Sequence, residues 1–329
     1  MIKGKHTRIA GGAKFWSGNT AMVGGLISKP VIINQQNFVS SPSMPSWLTL
    51  TRLSSATYLN SSGNMVEVAA DTARFDNAFN GTAWAAKGLL LEKAATNRLG
   101  NSDYAAGVTG WNSTDAQINY SVKSNGTLYV EGLRSGTDRP IFSNPSAYRI
   151  LNIPLSTSAT ISVFLVGSRG INYNYAMRFT SGNTALGSFP NLISSDKNTD
   201  ALKTRTSITF NLTEAVTNGD MLLGTNVVNQ WMNIGYPQVE LGSYPTSWIR
   251  TSTAAVTRAQ DNLQLNISNY TGSIKLTYKR QDTDATESAW IDLTNATNPI
   301  LTNSVAVGIW LQNISVYNRT LTAQEKANA

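Results

Sequence analysis

Two stretches decide the fold: residues 159–166, ATISVFLV, and residues 231–241, WMNIGYPQVEL. Both are rich in β-branched, aromatic and other apolar residues, which favour strands over helices. Six further runs of this kind occur between them or just before them, separated by turn-forming clusters: Ile118–Val122, Thr127–Gly132, Tyr148–Leu151, Tyr173–Phe179, Ser207–Leu212 and Met221–Val228. Eight short strands in succession predict an all-β protein with a jelly-roll β-sandwich at its centre.

The sequence before the sandwich divides into two parts. Residues 1–47 are punctuated by Gly and Pro and contain one strand-like run, which predicts an extended N-terminal docking arm. In residues 48–105, short apolar runs are separated by Ser-Ser and Ser-Ser-Gly-Asn, a spacing that predicts β-hairpins. We therefore predict a hairpin adaptor between the arm and a jelly roll that spans residues 106–262.

Residues 263–329 contain four more candidate strands and form a short C-terminal β segment. Thr322 and Glu325 have the spacing of a capping box, which predicts one short terminal helix. The segment is about half as long as a complete concanavalin-like or laminin-G-like sandwich, whose final strand and helix it resembles. We expect it either to complete the main domain or to act as an oligomerisation region that pairs between subunits.

Composition excludes several classes of protein. Charged residues make up only 14% of the chain, whereas Ser, Thr and Asn together supply 103 of its 329 residues. Such short polar side chains disfavour helical bundles and coiled coils. The sequence contains no Cys, which excludes disulfides and thiolate metal sites. The apolar stretches near the N-terminus are too short for a secretory leader or a membrane span, so we expect no membrane insertion.

The net charge of +7 is concentrated at the N-terminus. The first acidic residue is Glu67, and six basic residues precede it: Lys3, Lys5, Arg8, Lys14, Lys29 and Arg52. The rest of the chain is nearly neutral, so the basic residues are a local feature and not a property of the whole surface. Their density is low for a nucleic-acid footprint, and we expect a protein partner instead.

Two parts of the sequence resemble the tail-fibre, tail-spike and head-decoration proteins of tailed bacteriophages. The first contains TRLSSATY at residues 51–58 and GLLLE at residues 88–92. The second, at residues 231–263, contains QVELGSYPTSWI followed by VTRA. In the family, segments of these two kinds flank a jelly roll similar to carbohydrate-binding modules.

The resemblance implies a non-enzymatic structural component of a virion, either a fibre or a decoration subunit, assembled in the host cytoplasm. Its partners would be other capsid or tail proteins, together with copies of itself, most simply in a homotrimer. The alternative is a glycan-binding adhesin that attaches the particle to host surface glycans. Neither interpretation involves nucleic acid.

Six residues of the arm are candidates for docking to the virion because they combine positive charge with large apolar groups. They are Lys3, Lys5, Arg8, Lys14, Phe15 and Trp16. Other charged residues are candidates for structural ion pairs, since a buried carboxylate needs a partner. We expect Arg74 to pair with Asp76, Glu92 with Arg98, and Glu240 with Arg250 or Arg258.

The sequence provides little for catalysis. The single histidine, His6, lies in the arm, where it cannot be held as the base of a triad or as a metal ligand. No phosphate-binding or dinucleotide-binding fingerprint is present. We expect no enzymatic activity, no cofactor and no catalytic metal; a structural calcium at Asp103 and Asp115 is an alternative that the sparse acids do not favour.

Aromatic residues of the sandwich are candidates for glycan binding, because sugar rings stack on aromatic faces while polar neighbours bind hydroxyl groups. The candidates are Trp111, Tyr120, Tyr129, Arg169, Tyr173 and Tyr175. The alternative is that these aromatic side chains fill the core or an oligomer interface.

Overall fold

The structure is a computed structural model of the 329-residue chain. It describes residues 29–104, 112–113, 118–123, 126–132, 142–143, 150–153, 158–169, 173–179, 187–189, 204–211, 216–224, 231–305 and 307–329. Every strand pairing in these residues is antiparallel, and the protein is an all-β structure with one short α-helix near its C-terminus.

The central region is the predicted jelly-roll sandwich. Its strands are β8 (Asn112–Ser113), β9 (Ile118–Val122), β10 (Leu128–Gly132), β11 (Phe142–Ser143), β12 (Ile150–Ile153), β13 (Ser158–Arg169), β14 (Tyr173–Phe179), β15 (Gly187–Phe189), β16 (Thr204–Asn211), β17 (Val216–Gly224) and β18 (Trp231–Leu241). One sheet has the order β16-β13-β18-β10-β9, and the other has the order β15-β14-β17-β11-β8, with β12 also paired to β17. The chain passes repeatedly from one sheet to the other, as it does in a jelly roll.

The sequences on either side of the sandwich provide the remaining strands. Those before it are β1 (Ile32–Asn37), β2 (Leu48–Thr51), β3 (Ala56–Leu59), β4 (Met65–Val68), β5 (Phe75–Phe79), β6 (Trp84–Leu91) and β7 (Ala95–Asn97). Those after it are β19 (Val256–Arg258), β20 (Asn262–Leu265), β21 (Tyr270–Arg280), β22 (Thr286–Ala296) and β23 (Ile309–Tyr317), with a 3-10 turn at Leu301–Ser304.

Strands from the two ends of the chain build one six-stranded sheet, which we call the terminal sheet. Its order is β22-β21-β23-β6-β5, and β1 also pairs with β23. Two further pairs, β2 with β20 and β7 with β19, join the same two parts of the chain. The C-terminal segment is therefore completed by strands of its own chain, so its unclosed edges give no argument for a trimer. The trimer stays a prediction.

This pairing also corrects the extent of the N-terminal arm. The strand-like run after Val31 is β1 of the terminal sheet, and the Phe38 side chain that follows is fully buried against Phe75. Residues 31–47 thus belong to the folded body, and a docking arm can extend no further than residue 30. Sequence analysis missed this because the partner strand β23 lies almost 280 positions away, at the far end of the chain.

The core beside the terminal sheet is formed by side chains from both ends of the chain, including Leu50, Leu89, Leu263, Ile274 and Leu311.

The prediction of a short terminal helix is confirmed. The helix α1 covers Ala323–Ala327, the Thr322 hydroxyl accepts a hydrogen bond from the Glu325 N–H, and the Glu325 carboxylate accepts one from the Thr322 N–H. Both bonds satisfy backbone donors that the first helical turn would otherwise leave unpaired.

Candidate functional site

Five buried charged residues lie where the sandwich joins the terminal sheet. Each of the five is at most 2% exposed. We call them the buried ionic cluster: Arg52, Arg74, Glu92, Arg258 and Asp261. Arg74 lies at the centre, with Nη1 2.8 Å from Glu92 Oε2 and Nη2 2.6 Å from Asp261 Oδ2. Arg52 Nη1 is 2.9 Å from Asp261 Oδ1, and Arg258 Nη2 is 3.5 Å from Glu92 Oε2.

Backbone and neutral side-chain groups complete the hydrogen bonding of the cluster. Glu92 accepts hydrogen bonds from the Ser247 N–H and hydroxyl, both at 2.6 Å, and from Gln281 Nε2 at 2.7 Å. Burial alone would raise the pKa of Glu92, but the guanidinium groups of Arg258 and Arg74 outweigh burial and hold it well below its usual range. The carboxylate is therefore ionised and bound on all sides, which suits a structural tie.

The motifs singled out in the sequence before and after the sandwich meet at this cluster. Arg52 comes from the TRLSSATY segment, Glu92 ends GLLLE, Ser247 belongs to the closing PTS, and Arg258 lies in VTRA. In addition, the Thr57 hydroxyl donates to the Trp248 carbonyl at 2.5 Å. These segments are far apart in sequence, and their charged and hydroxyl groups hold the hairpin segment against the end of the sandwich.

The sequence analysis named three of the five cluster residues, Arg74, Glu92 and Arg258, but it paired them wrongly and missed Arg52 and Asp261. Arg74 pairs with Glu92 and Asp261 rather than Asp76, and the partners of Glu92 are Arg74 and Arg258 rather than Arg98. Arg250 lies 2.7 Å from Asp103 and 3.4 Å from Glu67. Neighbours in sequence were chosen as partners, whereas the fold joins residues from distant segments.

Glu240 is a structural tie, as expected, but its partners are not Arg250 or Arg258. Its carboxylate accepts hydrogen bonds from the Thr246 N–H at 2.9 Å and the Thr246 hydroxyl at 2.5 Å. Burial raises the pKa of Glu240, and the positive charge of Arg205 partly offsets the effect. Glu240 thus holds the Tyr-Pro-Thr turn that follows β18.

A cavity of about 350 Å³ lies beside the cluster, and we call it the junction cavity. The hairpin strands β3 to β6 form much of it, and the remainder comes from the sandwich, the turn at residues 245–248, Gln281 and Trp310. Aromatic rings are prominent in its lining: Tyr58, Phe79, Trp84, Phe164, Trp248 and Trp310. Cavities lined mainly by apolar and aromatic side chains, with a few placed polar groups, are typical of small-molecule sites.

Asp76 supplies the carboxylate of the junction cavity. Oδ1 accepts a hydrogen bond from the Leu59 N–H at 2.9 Å, and Oδ2 accepts one from Trp310 Nε1 at 2.8 Å. Burial raises the pKa of Asp76, although these two hydrogen bonds lower it in part. The indole of Trp310 is held from its other side by Lys87, whose Nζ lies 3.9 Å from the ring centroid and also pairs with Asp284.

Trp84 has its position fixed by a glycine. Gly63 lies in the turn between β3 and β4 with φ +77°, and a Cβ there would come within 2.2 Å of Trp84 Cζ2. The indole therefore packs against the bare backbone of this turn. Phe79 contacts the other side, with ring centroids 5.8 Å apart. The Trp84 indole thus packs against both the turn and the Phe79 ring.

Arg205 and Gln281 are two further polar groups of the lining. Arg205 donates from Nη2 to the Ser162 hydroxyl at 2.7 Å and from Nη1 to the Thr246 carbonyl, and its guanidinium lies 5.3 Å from the Phe164 ring centroid. Burial lowers the pKa of Arg205, and Glu240 partly offsets this. In the described part of the chain, Arg205 Nε and Gln281 Oε1 are buried without a hydrogen-bond partner. Leaving such atoms unpaired costs free energy.

Among the glycan-binding candidates from the sequence, Tyr129 is the one whose side chain the structure describes, and it is not among the residues that line this cavity. Tyr120, Tyr129 and Arg169 lie on β9, β10 and β13 of one sandwich sheet, while Tyr173 and Tyr175 lie on β14 of the other. Tyr129 is partly exposed, with Lys123 Nζ 5.6 Å from its ring centroid. Trp111 and all six docking candidates, Lys3, Lys5, Arg8, Lys14, Phe15 and Trp16, lie outside the described residues, as does His6.

The cavity aromatics could not be found from sequence because they come from segments more than 200 positions apart. A local signal did exist: Phe79 and Trp84 flank Asn80-Gly81, a dipeptide typical of a tight hairpin turn, which places two aromatic residues side by side.

Among the described residues, no group of three or more His, Asp or Glu lies where it could hold a metal ion. Of the two calcium candidates, Asp103 is bound to Arg250 at 2.7 Å, and Asp115 lies outside the described residues. No helix within the described ranges has the length and apolar character to cross a membrane.

Comparisons with known proteins find likeness in structure only. No family model matches the chain, and a search of curated proteins finds no match. The chain is similar to the C-terminal CBM6 of LamC, a marine laminarinase from Zobellia galactanivorans, at 16% identity over 45% of this chain and 98% of that one, with a TM-score of 0.29. It is similar to the N-terminal CBM22-1–CBM22-2 tandem domain of Paenibacillus barcinonensis Xyn10C at 10% identity over 71% and 93%, with a TM-score of 0.31.

A third solved structure, that of infectious bursal disease virus strain Gx, is similar at 9% identity over 87% of this chain and 65% of that one, with a TM-score of 0.20. The first two structures are carbohydrate-binding modules with jelly-roll folds. All three likenesses are distant, with identities of 16% or less and TM-scores of 0.31 or less.

Proposed function

We propose that this protein is a non-enzymatic, glycan-binding component of a tailed-phage virion. The observation that carries the proposal is the junction cavity, where a carboxylate and a guanidinium accompany several aromatic rings. Sugars have apolar ring faces and polar edges, so they suit a site with both kinds of surface. The cavity opens beside the motifs that resemble phage modules, which supports placing the binding function in such a particle.

The N-terminal arm and the folded body have separate roles. The basic residues that precede Pro30 dock the protein to capsid or tail proteins after assembly in the host cytoplasm, and the body projects outward to contact the host surface. Hydrolysis is not part of the proposal. Among the described residues that line the cavity, Asp76 is the one carboxylate, whereas most glycoside hydrolases use a pair of carboxylates.

Glycan binding is tested with the full-length chain on an array that includes bacterial surface polysaccharides. Trp84→Ala removes a cavity ring, and Trp290→Ala is the matched control, because Trp290 packs on Tyr317 away from the cavity. We expect Trp84→Ala to weaken binding about tenfold, roughly 1.4 kcal/mol, and Trp290→Ala to leave it unchanged. Equal binding by both variants would move the site elsewhere, and no bound glycan would refute the function.

The virion assignment and the absence of hydrolysis have their own tests. Mass spectrometry of purified particles should detect the chain, and incubation with the bound polysaccharide should release no new reducing ends. Replacing Lys3, Lys5, Arg8 and Lys14 by Gln should reduce incorporation in a salt-sensitive manner. Normal incorporation of this variant at all salt concentrations would refute the docking role of the basic residues.

A further inference from the structure

The junction cavity contains an apolar corner that a plain sugar would not use. Leu59 and Met65 pack against Phe164, and all three side chains line the cavity. Hydroxyl groups gain nothing from such a surface, because burying them without partners costs free energy. A ligand that fills this corner must carry a small apolar group.

A hydrogen-bond acceptor lies next to this corner. Asp76 Oδ1 accepts the Leu59 N–H at 2.9 Å, so the carboxylate lies beside one of the three apolar residues. A carboxylate oxygen can accept more than one hydrogen bond, and it can therefore also accept one from a ligand N–H. The corner thus favours a ligand group in which a small apolar part lies close to an N–H donor.

We infer that the ligand of the junction cavity is a terminal N-acetylated amino sugar, an assignment that rests on the proposed glycan-binding function. The acetamido methyl packs on Leu59, Met65 and Phe164, and the acetamido N–H donates to Asp76. Asp76 accepts hydrogen bonds from ring hydroxyls, since each of its oxygens has room for a bond beyond that from Leu59 or Trp310. The ring face lies on the aromatic part of the wall, which includes Trp84.

The test compares four monosaccharides: N-acetylglucosamine, N-acetylgalactosamine, glucose and galactose. Each is titrated into the full-length chain, and binding is followed by tryptophan fluorescence and by saturation transfer from protein to ligand protons. We expect the N-acetylated sugars to bind at least tenfold more tightly than the parent hexoses. Their methyl protons should receive the strongest saturation, because they lie deepest in the apolar corner.

Met65→Gln makes the apolar corner polar at a partly buried position, so folding should survive. Met44→Gln is the matched control, because Met44 is partly buried against the terminal core and does not line the cavity. We expect the N-acetyl preference to fall below threefold in Met65→Gln and to persist in Met44→Gln.

The outcomes separate this inference from the function on which it rests. A preference of tenfold or more that Met65→Gln removes supports both. Glycans bound on the array, but with equal affinity for N-acetylated and parent sugars, would overturn the inference and leave the function intact. A preference that Met65→Gln does not alter would also overturn it, and the absence of any bound glycan would overturn both.

Discussion

Arg74 and Asp261 lie 187 positions apart in the chain, yet Arg74 Nη2 is 2.6 Å from Asp261 Oδ2 and both side chains are fully buried. Their contact joins the hairpin before the sandwich to the segment that leads into β20 after it. The whole jelly roll is thus an insertion between two sequence segments that fold together. Removing one member of such a buried pair leaves the other charge without compensation.

Glu92→Gln should therefore destabilise the protein strongly. It removes the negative charge that faces Arg74 and Arg258, and we expect a loss of about 3–5 kcal/mol in the free energy of unfolding. Glu287→Gln is the control, because its pair with Arg280 is partly exposed and should contribute about 0–1 kcal/mol. Urea denaturation of both variants provides the measurement, and equal losses would contradict the role of the cluster.

Acid should weaken the protein through the same residue. The pKa of Glu92 is lowered in the folded protein, where Arg258 and Arg74 outweigh burial, from an ordinary value of 4.5. The stabilisation is fully present above pH 4.5 and is lost as the pH falls further, because the unfolded chain then binds the proton first. When melting temperatures are measured from pH 7 to pH 3, they should decrease once the pH is lower than 4.5. The decrease should be smaller in Glu92→Gln. Parallel curves for the two proteins would assign the acid sensitivity to other carboxylates.

Two truncations distinguish the arm from the body. Deleting residues 1–28 should change the melting temperature by no more than a few degrees. Deleting residues 1–47 removes β1 and the fully buried Phe38, and loss of a buried Phe alone costs about 3–5 kcal/mol. Phe38→Ala in the full-length chain is the check on the longer truncation. If the two truncated proteins were equally stable, residues 31–47 would belong to the arm and not to the folded body.

Features that neighbouring residues specify were predictable from the sequence, whereas long-range pairings were not. The helix α1 was predictable because Thr322 and Glu325 specify it locally, and the jelly roll was predictable because strand after strand is marked by composition and turns. The partners of Arg74 and of β1 were not, since a salt bridge or a strand pairing across most of the chain leaves no periodicity in the sequence. The candidate cavity was likewise not predictable from the sequence. Trp84 and Trp310 line the same cavity only because β6 pairs with β23.

Gly88 opens the GLLLE motif for a reason that a pair of variants can test. Its φ is +124°, and a Cβ there would lie 2.4 Å from the Leu311 carbonyl oxygen, where β6 meets β23. Gly81 also has a positive φ, +104°, but a Cβ at that residue would have no atom within 4 Å. Gly81→Ala should cost about 1–3 kcal/mol from backbone strain, and Gly88→Ala should cost clearly more because the strands must separate. Thermal melts compare them, and equal costs would mean that β6 and β23 can part freely.

Gly63 allows a test of the cavity that substitutes none of its lining residues. Alanine at residue 63 would push on Trp84, since its Cβ would lie 2.2 Å from Cζ2, whereas alanine at Gly126 meets nothing within 4 Å. The two glycines have φ values of +77° and +76°, so the backbone strain is the same in both variants. We expect Gly63→Ala to shift the tryptophan emission and to weaken N-acetylglucosamine binding at least fivefold, because the displaced indole intrudes on the ligand. Gly126→Ala should lose similar stability and keep the affinity; equal affinities in the two variants would show that Trp84 takes no part in binding.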